Sequence, residues 1–145
     1  VGRGSHKQRL VASADHRGLD NVVFFDEIDP REIPGLYAQC HFGLVALDPR
    51  HKTHNVPGKF LSYMLSGLPV LASINQGNDL VDLVQQERVG AVSTDSSVAS
   101  LARLAQGLVD QVASDREISG RCRNLAEKLF SPQAAVQQIV NALKA

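Results

Sequence analysis

Apolar residues fall into short blocks along this chain, and the spacing inside each block predicts the element it forms. Asn21–Phe25 (NVVFF), Phe42–Leu47 (FGLVAL), Pro69–Ser73 (PVLAS) and Gly90–Ser93 are brief apolar runs. Each is too short for a helix, and together they predict buried strands. Between them the period changes. Ser5 is placed to cap a helix with Leu10, Val11 and Ala14 on one face, ending at Gly18. Asp26 to Pro30 reads as a turn, and Arg31 to Cys40 as a short helix with Ile33, Leu36 and Tyr37 inward. A polar loop, Asp48 to Pro57, leads to a helix over Gly58 to Ser66 with Gly67 at its C′ position. Asn78 caps a further helix reaching about Arg88. From Asp95 onward the chain reads as helical, with breaks near Asp115 and at Ser131-Pro132, and Val98, Leu101, Ala105, Leu108 and Val112 form a core-facing stripe.

Strands alternating with helices predict βαβ units and a parallel sheet, and uniformly apolar strands fit a sheet covered on both faces. The predicted fold is α/β: a Rossmann-like, doubly wound parallel sheet with a helical C-terminal tail. The length, 145 residues at 43% hydrophobic content, makes residues 1–145 a single domain. A chain of this size buries roughly 68–70% of its unfolded surface, enough for a core without disulfides. Val1-Gly2-Arg3-Gly4 reads as the tail of a strand entering a glycine-rich turn. The expectation is therefore a fragment lacking part of its own first strands.

Charge removes several function classes. Fifteen Lys and Arg balance fifteen Asp and Glu, without the basic excess of a nucleic-acid module or a polybasic membrane surface. No apolar run approaches the ~20 residues that span a bilayer. Cys40 and Cys122 match no metal or redox spacing, which points to a reducing, cytoplasmic setting.

In parallel α/β sheets, ligands bind beyond the carboxyl ends of the strands, so the loops after strands are where chemistry is sought. The Gly2-Arg3-Gly4 turn precedes a helix, where backbone amides and the helix dipole can meet a phosphate. A tight turn uses the same glycines for steric reasons alone, and the two readings stand level. The loop Asp48 to Lys59 is more telling. It sets Arg50, His51, Lys52, His54 and Lys59 around a single Asp48 and ends at a helix start shaped by Pro57 and Gly58. Cations feeding a helix N-terminus after a parallel strand suit an anionic ligand such as a diphosphate. The amides of Asn75-Gln76-Gly77-Asn78 read first as caps and second as partners of sugar hydroxyls. Asp26, Glu27 and Asp29 read as turn and cap residues rather than a metal site, so no metal is expected. There is no Gly-x-Ser-x-Gly elbow and no Walker A sequence.

Pro57-Gly58-Lys59-Phe60-Leu61-Ser62-Tyr63-Met64-Leu65-Ser66-Gly67-Leu68-Pro69-Val70 resembles the P-x-K-x-x-E-Y-M-x-x-G-x-P-V signature of bacterial family 4 glycosyltransferases. These are two-domain GT-B enzymes, and the resemblance is to their C-terminal, nucleotide-sugar-binding half. The Gly2-x-Gly4 turn, Asn21–Phe25 followed by Leu36-Tyr37-Ala38, and Gly90-Ala91-Val92 fall into the same register. His54-Asn55-Val56-Pro57-Gly58-Lys59 with Asn78-Asp79-Leu80 resembles O-antigen enzymes that transfer N-acetylfucosamine-type sugars. There is one departure. Many members carry a Glu-x7-Glu pair holding the donor sugar and the ribose, and by register those positions are His54 and Ser62 here.

The resemblance implies a retaining, metal-independent transferase of lipopolysaccharide assembly that needs no cofactor and takes a nucleotide-diphosphate sugar, with UDP expected. Backbone amides of Asn55, Val56 and Gly58, with Pro57 shaping the turn between them, and Lys59 would meet the diphosphate. Gly2 and Gly4 would line the turn, Ile28 would flank the base, Ser62 would meet the ribose, and His54 would face the sugar as the candidate catalytic residue. The acceptor, lipid-linked or polysaccharide, would be held by an N-terminal domain absent from this chain, with peripheral contact at the cytoplasmic face of a membrane. Two other readings stay open: a nucleotide-sugar epimerase half-domain, and a non-enzymatic Rossmann-like binding module.

Overall fold

A computed structural model describes residues 1–48, 56–95 and 97–144. In chain order the elements are α1 (Lys7–His16), a 3-10 turn (Pro30–Glu32), α2 (Ile33–Tyr37), β1 (Gly43–Ala46), α3 (Gly58–Leu65) and β2 (Val70–Ser73). Then follow α4 (Asp79–Gln86), β3 (Gly90–Ser93), α5 (Val98–Ser114), α6 (Ile118–Phe130) and α7 (Pro132–Lys144). The chain divides into two compact units, Val1–Leu36 and Tyr37–Ala145, and each is described by itself.

The second unit holds the sheet. Among the described residues its order is β1-β2-β3 with both pairings parallel, Gly43 opposite Val70 and Val70 opposite Gly90. Side chains alternate across it. Val45, Val70 and Ala72 enter one buried cluster with Phe60 and Met64 of α3, Leu80 and Val84 of α4, and Cys122, Leu125 and Ala126 of α6. Leu71 points the other way and is buried with Leu108 of α5 and Ile118 of α6. Helices thus cover both faces of β2, which is the doubly wound arrangement the alternating blocks predicted. α6 and α7 form the helical tail.

Helix ends follow local chemistry. Gly67 has φ +70°, and its amide bonds to the Met64 carbonyl while the Leu68 amide bonds to that of Tyr63. This is a Schellman closure, with glycine supplying the left-handed conformation. The 3-10 turn is opened by a capping box, in which the Asp29 carboxylate accepts from the Arg31 amide and the Glu32 carboxylate from the Asp29 amide. Asp29 has the cap duty read from sequence, and Asp26 pairs with Lys7.

Four expectations are corrected. Asn21–Phe25 is not a strand: among the described residues its ladder-like bond is Gly2 N–H to the Phe25 carbonyl at 3.3 Å, and Val22, Val23 and Phe25 are exposed. A strand exists through its ladder, and apolar composition does not supply one. The Arg31–Cys40 helix is shorter, a 3-10 turn running into α2, which stops at Tyr37. His6, not Ser5, holds the N-cap position of α1, and no side chain caps it. Val98 is 82% exposed. It is the first residue of α5, directly after the Ser97 cap, while Leu101, Ala105 and Val112 pack on the core as expected.

The β2–β3 approach leaves no room for a side chain on Gly90, because a Cβ there would overlap the Val70 carbonyl. Gly90→Ala should lower stability by about 1–3 kcal/mol. Gly107→Ala, where a Cβ meets nothing within 4 Å in the body of α5, should raise it by about 0.5–1 kcal/mol. Urea unfolding of the two variants checks both signs.

Candidate functional site

Because the ladder is parallel, β1, β2 and β3 end on one edge, and α3, α4 and α5 each begin there. The three helix starts differ in how their free amides are satisfied. At α4, the Asn78 side-chain oxygen accepts from the Leu80 amide at 2.9 Å, and Asn78 is 8% exposed. Its carbonyl oxygen therefore serves as a cap, the first of the two roles read from sequence. At α5, Ser97 accepts from the Ser100 amide. Asp95 accepts from the Ser93 hydroxyl, the Ser97 amide and the Ser100 hydroxyl at 2.8, 2.9 and 2.7 Å. Those donors hold its carboxyl at a pKa of about 2, the Ser97 amide contributing most.

α3 is left open. Its N-cap residue is Pro57, with extended φ and ψ of −62° and 138° and no side-chain hydrogen bond. Among the described residues, the Phe60 amide turns back to the Pro57 carbonyl at 2.9 Å. No acidic residue lies in the first turn, and Lys59 stands there exposed. Among the described residues Lys59 has no ion-pair partner. The helix is held by its other face, where Phe60 and Met64 are fully buried. Gly58, Lys59 and Ser62 therefore share the solvent side. The Ser62 hydroxyl donates to the Gly58 carbonyl at 3.1 Å, so its acceptor lone pairs remain toward solvent. Val56 and Pro57 are half-buried, and Val56 packs against the main core.

The structure brings Val56, Pro57, Gly58, Lys59 and Ser62 together at one helix start. His54 and Asn55 lie outside the described residues, as do Arg50, His51 and Lys52. Gly2, Gly4 and Ile28 belong to the first unit. There Gly2 has φ +141°, a conformation suited to glycine, and Gly4 accepts from the Lys7 amide. The cations of that turn already have partners: Arg3 pairs with Glu27 at 2.9 Å, and Lys7 with Asp26. The Lys7 ammonium, donating to Asp26, holds that carboxyl below its usual range. Ile28 is half-buried.

An uncapped helix start with an exposed lysine, facing the carboxyl edge of a parallel sheet, can receive an oxyanion through backbone amides and one point charge. Compared with known families, residues 1–111 match the one described as Glycosyl transferases group 1. The chain belongs to the group 1 glycosyltransferases. No curated protein and no solved structure matches it. The sheet and its flanking helices are those of a Rossmann-like α/β domain consistent with the GT-B glycosyltransferases. Residues 1–111 take in α3 and most of α5, while α6 and α7 lie beyond them. No helix among the described residues is long and apolar enough to cross a membrane.

The saturated Asp95 went unremarked in the sequence, although Ser93, Ser97 and Ser100 spaced around one aspartate are visible there. Its pKa lies below the unfolded value near 4. The stability it contributes is thus complete above pH ~4 and is lost as pH falls toward 2. Asp95→Asn should remove that part of the acid dependence, and urea midpoints measured between pH 5 and 2 for both proteins read it directly.

Proposed function

We propose that this domain binds the donor of a glycosyl transfer, a nucleotide-diphosphate sugar, and holds its diphosphate at the start of α3. The observation that carries the reading is the contrast among helix starts on one edge: α4 and α5 are capped by their own side chains, and α3 is not. Its amides at Gly58 and Lys59 supply donors, the helix dipole supplies roughly half a positive charge, and Lys59 supplies a full one. Ser62, one turn further along the same face, would meet the ribose, with one hydroxyl where related enzymes use a carboxylate. His54 and Asn55 are assigned from sequence to the sugar side of the same loop, with His54 the candidate catalytic residue. Ile28 is assigned from sequence to the base, and Gly2 and Gly4 to the first-unit turn.

In transfer, the bond between the anomeric carbon and the distal phosphate oxygen breaks, and negative charge accumulates on the departing diphosphate. Amides and a lysine aimed at that charge stabilise it without reorganisation. We propose a UDP-sugar donor, a bacterial family 4 enzyme with a retaining outcome, and a lipid-linked or O-antigen acceptor of the N-acetylfucosamine-type pathways. The resemblance of residues 54–80 supports these finer points. An epimerase would share the diphosphate site, and the family match favours transfer.

A cation in the first turn opposes the helix dipole by roughly 0.3–1 kcal/mol, so Lys59 costs the unliganded domain a little. Bound to phosphate, its charge-assisted hydrogen bond contributes about 1.5–3 kcal/mol. Lys59→Ala should therefore leave unliganded stability equal or slightly higher and weaken UDP binding about tenfold or more. Uridine, which has no phosphate, should bind both proteins alike. Equal losses for UDP and uridine in calorimetric titrations, or a fall in unliganded Tm, would make Lys59 structural.

We propose that transfer is metal-independent, with amides and lysine taking the role of a cation. UDP affinity should be the same in EDTA as in millimolar Mg²⁺ or Mn²⁺. A clear gain with either ion would replace the dipole-and-lysine account with a metal-bridged diphosphate.

A further inference from the structure

α3 and α4 both begin at the ligand edge, and both end in Schellman closures. In α3 the left-handed C′ residue is Gly67; in α4 it is Arg88, whose φ is +54°. The Arg88 amide bonds to the Gln85 carbonyl and the Val89 amide to that of Val84. A Schellman closure uses the C′ amide but leaves the C′ carbonyl free to accept from elsewhere. Here both C′ carbonyls are taken by one helix. The Ser119 hydroxyl of α6 donates to the Gly67 carbonyl at 2.7 Å, and the Arg121 guanidinium donates to the Arg88 carbonyl from Nη2 at 3.0 Å and Nε at 3.3 Å. Arg121 is itself held by Asp115, at 2.5 and 3.2 Å. The Lys128–Glu87 pair at 3.0 Å adds a further tie from α6 to the end of α4.

These bonds tie the C-terminal ends of α3 and α4 to α6. Side-chain packing of Phe60 and Met64 against Cys122, Leu125 and Ala126 fixes how far α3 stands from α6. Apolar contact is non-directional and resists sliding weakly. A hydrogen bond to the C′ carbonyl is directional and fixes where the end of the helix stands. α3 spans only eight residues, about 12 Å at 1.5 Å per residue, so a shift at Gly67 is carried whole to Gly58. The start of α3 has no side-chain cap to correct it.

We propose that Ser119 is a positioning residue for the phosphate-binding start of α3, acting from the opposite end of that helix; this rests on the diphosphate reading above. Ser119 touches no ligand. It sets where the Gly58 and Lys59 amides stand, and α6, which lies beyond the residues matched to the family, becomes the bracket behind the site.

The test compares the wild type with Ser119→Ala and Ser119→Thr, titrating UDP and uridine and following amide hydrogen exchange without ligand. Losing one neutral hydrogen bond should weaken UDP binding about three- to tenfold in Ser119→Ala, leave uridine binding unchanged, and be reversed in Ser119→Thr. Exchange should quicken over Phe60–Leu65 and stay at its wild-type rate in α5. Unchanged UDP affinity in Ser119→Ala, or equal losses for UDP and uridine, overturns the positioning role. Failure of the wild type to bind UDP overturns the diphosphate reading instead. The hold on α3 is then decided by exchange alone: selective quickening in Ser119→Ala, reversed in Ser119→Thr, upholds it, and a uniform change across α3 and α5 sinks it.

Discussion

The close parallel approach of β2 to β3, possible because position 90 carries no side chain, is the constraint on which the rest of the second unit depends. Val70 sits opposite Gly90 and opposite Gly43, so one central strand sets the register of both neighbours. Each of its first three residues is buried, Val70 and Ala72 into the cluster shared by α3, α4 and α6, and Leu71 into that of α5. Gly43 repeats the device on the other side, because a Cβ there would run into the Tyr63 ring. That ring is held edge-on by Tyr37, with centroids 5.0 Å apart, and burial pushes its hydroxyl pKa upward. Two glycines thus let backbone and ring come close enough for three four-residue strands to carry five helices. Parallel direction does the rest, since it sends every strand's carbonyl end, and so every following helix start, to one edge.

Much of this was legible in the sequence, for reasons that differ by element. β1, β2, β3 and the helices between them could be read because each apolar block is bounded by its own punctuation: Gly58 and Gly67 around α3, Asn78 before α4, Ser131-Pro132 between α6 and α7. Local chemistry decides local boundaries, and those held to within a residue or two. Asn21–Phe25 failed for the complementary reason. Its composition is that of a strand, but strand formation is a pairwise property, and among the described residues its ladder amounts to the Gly2–Phe25 bond. Val98 failed because a helical stripe continues past the point where the helix meets the core.

The candidate site divides along the same line. Pro57, Gly58, Lys59 and Ser62 were readable because they follow one another on one helix, and helical periodicity alone places three of them on its solvent side. Ser119 was not readable. Its partner is 52 residues away, nothing in a serine within a helix marks it, and the bond depends on where α6 lies against the end of α3. The same holds for Arg121 and the Arg88 carbonyl. An arginine in the left-handed region, where glycine is usual, is strained on local grounds. That strain becomes intelligible only once the carbonyl it presents is seen to be occupied by another helix.

Two glycine-marked turns stood as candidates for an anion, and their electrostatics separate them. At the Gly2-Arg3-Gly4 turn each nearby cation faces an acid, Arg3 with Glu27 and Lys7 with Asp26. An incoming phosphate there would have to compete with a carboxylate for each charge, and breaking an exposed pair costs little but leaves the carboxylate to repel the newcomer. At α3 no such competitor stands among the described residues: the first turn has no acid and Lys59 has no ion-pair partner. The unpaired cation, the uncapped amides and the dipole all act in the same direction at a single point. α4, by contrast, carries Asp79 and Asp82 in its first turn. At α3 a lysine stands in the first turn instead, which opposes the dipole of the empty helix and would be offset by a bound anion; that is the electrostatic ground of the proposed diphosphate site.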